Sequence, residues 1–432
     1  MHRRRGKDDA YHQELRLSVN ELSEDKSSLD FHPKLLKAWL TLRFNPSANS
    51  FFTGRGPKNN PSRKLSAEEL GVGKFEGSAE KAAGELQSIL FDIVRSTTAS
   101  IPKGERIGVL SSGGIDSTTV IAILRKLGYC PEAYSIGFGA ENDEIEAARM
   151  AAEFLGVTHH ARVLNKILAS TVDANRSLDE PYRAACFYYD ALKFAKESGV
   201  RYVFDGLGVD EFFGGYGFRY ERVMRLQNGG MRRLDAYVQG AHPNDYVTSR
   251  SDLFGERLRD IEVDWNALFP YFDNGLTFLD QMFLADYDAK CRQNFVPLAG
   301  FAQSLGINVF YPWIDDRLID FSLRIPAEWK CEPETGRTKI LFRAAVRDLV
   351  PESTMDKKKQ GFGPGLGRVY EELKPLAENT VLDGYMVSNG HVNASYYRKV
   401  LEKKAPSPVE INKLWDMYTL EVFLDELGHG VR

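Results

Sequence analysis

The stretch Ile107-Gly-Val-Leu-Ser-Ser-Gly-Gly-Ile-Asp-Ser-Thr-Thr-Val120 decides the fold class. Ile107 to Leu110 read as a short buried strand, and Val120, Ile121, Ile123, Leu124 and Leu127 recur at helical spacing. Between them, Ser112-Gly113-Gly114-Ile115-Asp116-Ser117 reads as a tight turn. A strand that turns through small residues into a helix offers an anion free backbone N–H groups and the positive end of the helix dipole. Gly113 and Gly114 permit the turn and a close approach to a phosphate. Asp116 would repel that phosphate unless a divalent cation lay between them. Mg2+ is commonly held in this way, by one or two carboxylates together with phosphate oxygens. No Lys-Ser/Thr pair follows the glycines, so this is not a Walker A loop, and the G-x-G-x-x-G pattern is also absent here.

Outward from this loop, strand and helix patterns alternate. Strands are predicted at Ala133 to Phe138, His159 to Leu164 and Arg201 to Phe204. Helices are predicted at Asp143 to Leu155 and Phe187 to Ser198, the second closed by Gly199, and upstream from Ser78 to about Ala99. Strands spaced by helices imply an α/β protein with a doubly wound parallel sheet, whose ligands sit at the carboxyl ends of the strands. Both Ser112 and Gly206 fall at such ends. Phe31 to Leu42 carries a short amphipathic helix, flanked by loop-like sequence rich in Asn, Pro, Ser and Gly. Beyond residue 220 the strand signal fades and helical patterns dominate. The expected organisation is a linker-like segment over 1–79, a nucleotide-binding α/β core over 80–220 and a mainly helical part over 221–432 that completes the site.

Composition narrows the class. The chain has 432 residues, 43% hydrophobic and 27% charged, with a formal charge of −4, as in a globular enzyme with no bulk attraction for nucleic acid. Cys130, Cys186, Cys291 and Cys331 are scattered with no C-x-x-C pair, so neither zinc nor a disulfide framework is expected, and a cytoplasmic location is. No apolar run is long enough to span a membrane, and the basic Met1-His-Arg-Arg-Arg start lacks an apolar signal core.

A second glycine-rich element, Phe204-Asp-Gly-Leu-Gly-Val-Asp-Glu-Phe-Phe-Gly-Gly-Tyr216, also follows a strand. Gly206 and Gly208 allow close backbone approach, and Asp210 is a hard oxygen ligand that can pair with Asp116 across Mg2+. A third element is Asp356-Lys-Lys-Lys-Gln-Gly-Phe-Gly-Pro364. Lys357 and Lys358 read as a solvated face. Lys359 stands before a Gln-Gly-Phe-Gly-Pro loop that can fold over a site and set one ammonium against growing negative charge.

The first loop resembles the pyrophosphate loop of N-type ATP pyrophosphatases. Together with Gly206 to Tyr216, Tyr311-Pro-Trp-Ile-Asp-Asp316 and Lys359-Gln-Gly-Phe362, it resembles the synthetase domain of the asparagine synthetase B and β-lactam synthetase family over roughly residues 80 to 375. That resemblance implies the adenine nucleotide α-hydrolase type of sheet, with ATP and Mg2+ as cofactors. Ser112, Gly113, Gly114, Asp116 and Ser117 would cradle pyrophosphate, and Leu110, Ile136 and Gly206 would line the adenosine site. Asp116 and Asp210 would hold metal, and Lys359 would be the catalytic lysine. Asp179-Glu180-Pro181 matches a segment near the acyl substrate, which brings Glu180 and Tyr182 forward as substrate contacts.

Two departures shape the expectation. Family members that hydrolyse glutamine begin with a catalytic cysteine, whereas residue 2 here is His2. Nitrogen is therefore expected from free ammonia, an amine or a separate glutaminase subunit. In the loop Asp205-Gly-Leu-Gly-Val-Asp210, Leu207 stands where the family has Glu or Tyr, and leucine cannot transfer a proton. Glu180, Tyr182 and Tyr188 are the candidate replacements. The expected activity is an ATP-dependent ligase that adenylates a small-molecule or peptide carboxylate and passes the acyl group to nitrogen, with neither membrane nor nucleic acid as partner and a homo-oligomer left open. Ammonia-dependent asparagine synthesis is the alternative within the class. A non-catalytic ATP-binding subunit or scaffold is the alternative outside it.

Overall fold

The computed structural model describes residues 30–43, 51–52, 71–139, 144–178, 180–240, 242, 244–248, 250–263, 265–287, 300–357 and 363–428. Five short strands form one parallel sheet: β1 (Ile107–Leu110), β2 (Glu132–Gly137), β3 (His159–Val163), β4 (Tyr202–Phe204) and β5 (Asn308–Phe310), in the order β3-β2-β1-β4-β5. β1 lies in the centre, with Val109 level with Ala133 on one side and Phe204 on the other. Alternation along each strand sends side chains to opposite faces. Ile107, Val109, Ala133 and Phe204 join one apolar cluster, while Leu110, Tyr134, Ile136 and Val203 join another. Both faces are covered, as a parallel sheet requires.

The helices that cover the sheet arise where the periodicity places them. On the first face lie α2 (Ala79–Thr98) and α3 (Ile115–Lys126), whose Leu86, Leu90, Val120, Ile121 and Leu124 are fully buried. Ser78 starts α2 by accepting the Lys81 N–H at 3.3 Å, an N-cap that satisfies one orphan donor. On the second face lies α5 (Ala185–Glu197), with Phe187 and Leu192 buried; α4 (Ile145–Phe154) crosses between β2 and β3. Gly199 takes φ +84° beyond the end of α5, the left-handed turn expected of a glycine there.

β5 lies in the region predicted to be mainly helical. Its three residues pair only with β4, Phe204 level with Phe310, and carry too short a pattern to register as a strand. The sheet is thus completed by residues far beyond 220. The early segment is also built in. Helix α1 (Pro33–Leu42) buries Leu36, Trp39 and Leu40, and Phe31 bridges Phe52 in antiparallel fashion. Phe52 packs 5.7 Å, centroid to centroid, from Phe423 on the long C-terminal helix Pro408–Glu426. That helix is buried almost all round and starts from a Ser407–Glu410 capping box. Asp143, the expected start of the helix after β2, lies outside the described residues, as do Cys291 and most of the stretch before residue 71. No described helix is long and apolar enough to cross a membrane.

Because Phe52 is wholly buried against the C-terminal helix, Phe52→Ala should destabilise the whole chain by about 3–5 kcal/mol, as for large core truncations. Urea denaturation followed by circular dichroism would show it. An unchanged midpoint would mean that this segment is not part of the cooperative fold.

Candidate functional site

The first loop leaves β1 with its ladder extended by one residue, Ser111 N–H donating to Tyr134 O at 2.8 Å. Ser135 Oγ then donates to Ser111 O at 2.6 Å, and His159 Nε2 lies 2.9 Å from that hydroxyl. Gly113 takes φ +65°, and a Cβ there would overlap the backbone of Ala147 and Ala148 in α4. Glycine is required on both counts. Within the turn the amide contacts are long: Ser112 N to Ser117 Oγ at 3.4 Å, and Gly114 N to Ser112 Oγ at 3.3 Å. Hydroxyls thus occupy, at weak distances, the donors that a phosphate oxygen would take.

The second loop is pressed against the first. A Cβ on Gly206 would stand 2.7 Å from Ser117 N, so the exit of β4 meets the first turn of α3 as backbone against backbone. Gly208, at φ +117°, passes equally close to Trp313 O, and Trp313 Nε1 donates to Asp116 O at 3.2 Å. The buried indole at the exit of β5 therefore locks the two loops together. Asp210 lies in the short helix α6 (Val209–Phe212), and a Cβ on Gly215 would overlap its carboxylate.

Asp116 and Asp210 converge, and they converge on a residue that the sequence did not single out. Lys339 Nζ lies 2.8 and 2.6 Å from the two carboxylate oxygens of Asp116 and 2.7 Å from Asp210 Oδ1. All three side chains are nearly buried, at 5% exposure for Lys339, 17% for Asp116 and 10% for Asp210. Lys339 has φ +53° and caps the helix Ile340–Val346. Nothing in Gly336-Arg-Thr-Lys339 distinguishes this lysine among the 56 basic residues, except the turn signal before it. Two carboxylates within reach of a common point are a donor pair suited to a hard divalent cation. Among the described residues no group of three or more His, Cys, Asp or Glu could form a fuller cage, so the rest of the shell would come from water or phosphate.

Lys357 is not the solvated lysine expected. Its Nζ donates to Ser112 O at 2.5 Å and reaches Glu144 Oε1 at 3.2 Å, which anchors the phosphate-type loop from the far side. The charge run concealed it, because a run of lysines reads alike at every position. Lys359 lies outside the described residues, as does Asp179.

Of the remaining expected residues, Leu110, Ile136 and Leu207 lie on or just beyond β1, β2 and β4. Leu110 ends β1 and Ile136 lies on β2, both turned to the same face of the sheet. Leu207 is half-buried, and its N–H is bound by Asp205 Oδ1 at 3.1 Å, so the Asp205 carboxylate braces the turn. Glu180 and Tyr182 are half-buried, and the Arg43 guanidinium stacks 4.9 Å over the Tyr182 ring. Burial, followed by the nearby Tyr182, Asp205, Glu211 and Tyr311, holds the Tyr188 phenol well above its ordinary range. Such a phenol donates hydrogen bonds and is a poor proton acceptor.

The pattern of the family described as Asparagine synthase matches residues 92–425. "Asparagine synthetase [glutamine-hydrolyzing] 1" of Bacillus subtilis (strain 168) is 24% identical over 379 residues, covering 78% of this chain and 58% of the relative. A protein of the same name from Arabidopsis thaliana is 26% identical, with 69% and 48% covered. The chain thus spans about half the length of the curated relatives it matches. Among solved structures, NMN synthetase from Francisella tularensis is 13% identical, covering 53% of this chain and 94% of its own, with a TM-score of 0.24, an overlap too loose to bear on function.

A glycine test follows. Gly113→Ala should weaken binding of inorganic pyrophosphate at least tenfold by calorimetry, since it must move either the loop or α4. Gly84→Ala, in the middle of α2 with nothing within 4 Å, should leave binding unchanged and stabilise the chain by up to about 1 kcal/mol. Equal effects at both positions would contradict the tight-loop reading.

Proposed function

This chain belongs to the asparagine synthase family, and on that premise we propose that it is an ATP-dependent carbon–nitrogen ligase working through an acyl adenylate. The observation that carries the reading is the convergence of Asp116 and Asp210 on one cation beside the glycine turn. In the first step a substrate carboxylate oxygen attacks the α-phosphorus of ATP. The bond from α-phosphorus to the bridging oxygen breaks, and pyrophosphate leaves. In the second step a nitrogen lone pair adds to the acyl carbon, AMP leaves with its oxygen, and the nitrogen gives up a proton to water or to the departing AMP phosphate.

The residues divide this work. Amides of Ser112, Gly113 and Gly114, the Ser117 hydroxyl and the start of α3 bind the leaving pyrophosphate. Asp116 and Asp210 would hold Mg2+, which supplies charge neutralisation for the phosphates. Leu110, Ile136 and Gly206 offer the adenosine an apolar wall and a close backbone approach at the strand ends. Lys339 supplies a buried positive charge beside the departing phosphates, and Lys359 supplies another at the acyl centre. Leu207 excludes water and takes no proton, so the proton of the attacking nitrogen would pass to water or to the departing AMP. Glu180 and Tyr182 would contact the acyl substrate. Burial pushes the Cys186 and Cys331 thiols up to about 12, which keeps both protonated and unreactive.

Leu207 also supports a second reading, an ATP-binding subunit that has lost acyl transfer. A panel of carboxylic acids with ammonium separates the two. The ligase should release pyrophosphate in the presence of one acid class and yield an amide. Asp116→Asn and Asp210→Asn should each lower the rate at least a hundredfold, and Lys359→Ala should cost several kcal/mol of transition-state stabilisation, about 10²–10³-fold. ATP binding without acid-dependent pyrophosphate release would favour the subunit.

A further inference from the structure

Lys339 occupies the place where a divalent cation would sit. Its ammonium is within 2.8 Å of both Asp116 oxygens and 2.7 Å from Asp210 Oδ1. Mg2+ bonds carboxylate oxygens at about 2.0–2.1 Å. A dication and an ammonium cannot both occupy the point between the same three oxygens, and like charges that close repel strongly in a nearly buried site.

The backbone favours a lysine that stays rooted while its head moves. Lys339 is one of two described non-glycine residues with positive φ. Its peptide is pinned on both sides, Ile340 N–H donating to Lys330 O at 2.9 Å and Arg343 N–H to Lys339 O at 2.8 Å. A strained, firmly held backbone at a cluster of charges is the setting in which strain serves a switch. The side chain above it is a flexible four-carbon stem carrying a point charge. The phosphate-type loop begins at the same end of the sheet, with Asp116 in the first turn of its helix.

We propose that Lys339 is a resident counter-ion that keeps Asp116 and Asp210 paired and blocks free metal. It yields its place only when a phosphate-bearing ligand arrives to receive the ammonium. Metal and pyrophosphate then bind as one linked event. The carboxylates never face each other uncompensated, and free cations do not fill the site ahead of the nucleotide. This rests on the reading of Asp116 and Asp210 as metal ligands.

The test is metal binding without catalysis. Mn2+, a stand-in with the same preference for oxygen ligands, is titrated against the full chain by electron paramagnetic resonance, with and without inorganic pyrophosphate. In the parent, Mn2+ alone should bind at least tenfold more weakly than Mn2+ with pyrophosphate. Lys339→Met and Lys339→Gln should each bind Mn2+ alone at least tenfold more tightly than the parent, while Lys339→Arg should keep the block. Asp116→Asn should abolish Mn2+ binding in every background. If Lys339→Met and Lys339→Gln bind Mn2+ alone no better than the parent, the proposal is overturned. It is equally overturned, whatever the variants do, if the parent binds Mn2+ alone as tightly as with pyrophosphate. Loss of acid-dependent pyrophosphate release, with the Mn2+ pattern intact, would instead remove the ligase reading and leave the counter-ion.

Discussion

Asp116 and Asp210 can stay ionised together in one nearly buried site only while a cation stands between them. Two carboxylates this deeply placed would otherwise drive their elements apart, because the interior screens charge far less than water. Much of the local architecture follows from meeting that condition. α3 brings Asp116 in its first turn, α6 brings Asp210, and the left-handed residue before Ile340 brings the ammonium. Glycines at 206, 208 and 215 remove the Cβ atoms that would keep these elements apart. Trp313 then ties the exit of β5 to the Asp116 carbonyl.

Each of the loops involved has its own hydrogen-bond brace. The first turn is held from below by the Ser135 hydroxyl and from the side by Lys357. The second turn is braced by Asp205 on the Leu207 amide. Glu211 accepts from Tyr216 at 2.8 Å just beyond Asp210. Hydrogen bonds to charged groups are the stronger kind, and two of them act here on backbone atoms, Lys357 on Ser112 O and Asp205 on the Leu207 amide. The turn amides themselves keep only long contacts, so the scaffold is rigid where the donors that would meet phosphate are lightly engaged.

Periodicity made the sheet legible. β1 to β4 and their helices carry enough alternation, or enough helical spacing, to mark their places within a few residues. β5 was not legible, because three residues starting from Asn308 offer no period and gain their meaning only from pairing with Tyr202 to Phe204. The glycine turns and both aspartates were legible because their chemistry is local to a short motif. Lys339 and Lys357 were not. Each acts on partners more than 100 residues away in sequence, and a lone lysine carries no mark of the partner it will find. Leu207 was legible as a departure, but the raised phenol pKa of Tyr188, one of the candidate replacements, was not, because it comes from burial and neighbours brought together by folding.

The central claim is that a carboxylate oxygen bonds to the α-phosphorus of ATP. Oxygen labelling tests it without knowledge of the mechanism of the second step. With the accepted acid carrying 18O in its carboxylate, each amide formed should leave one labelled oxygen in AMP. Label in inorganic phosphate with ADP as co-product, or unlabelled AMP, would contradict the account.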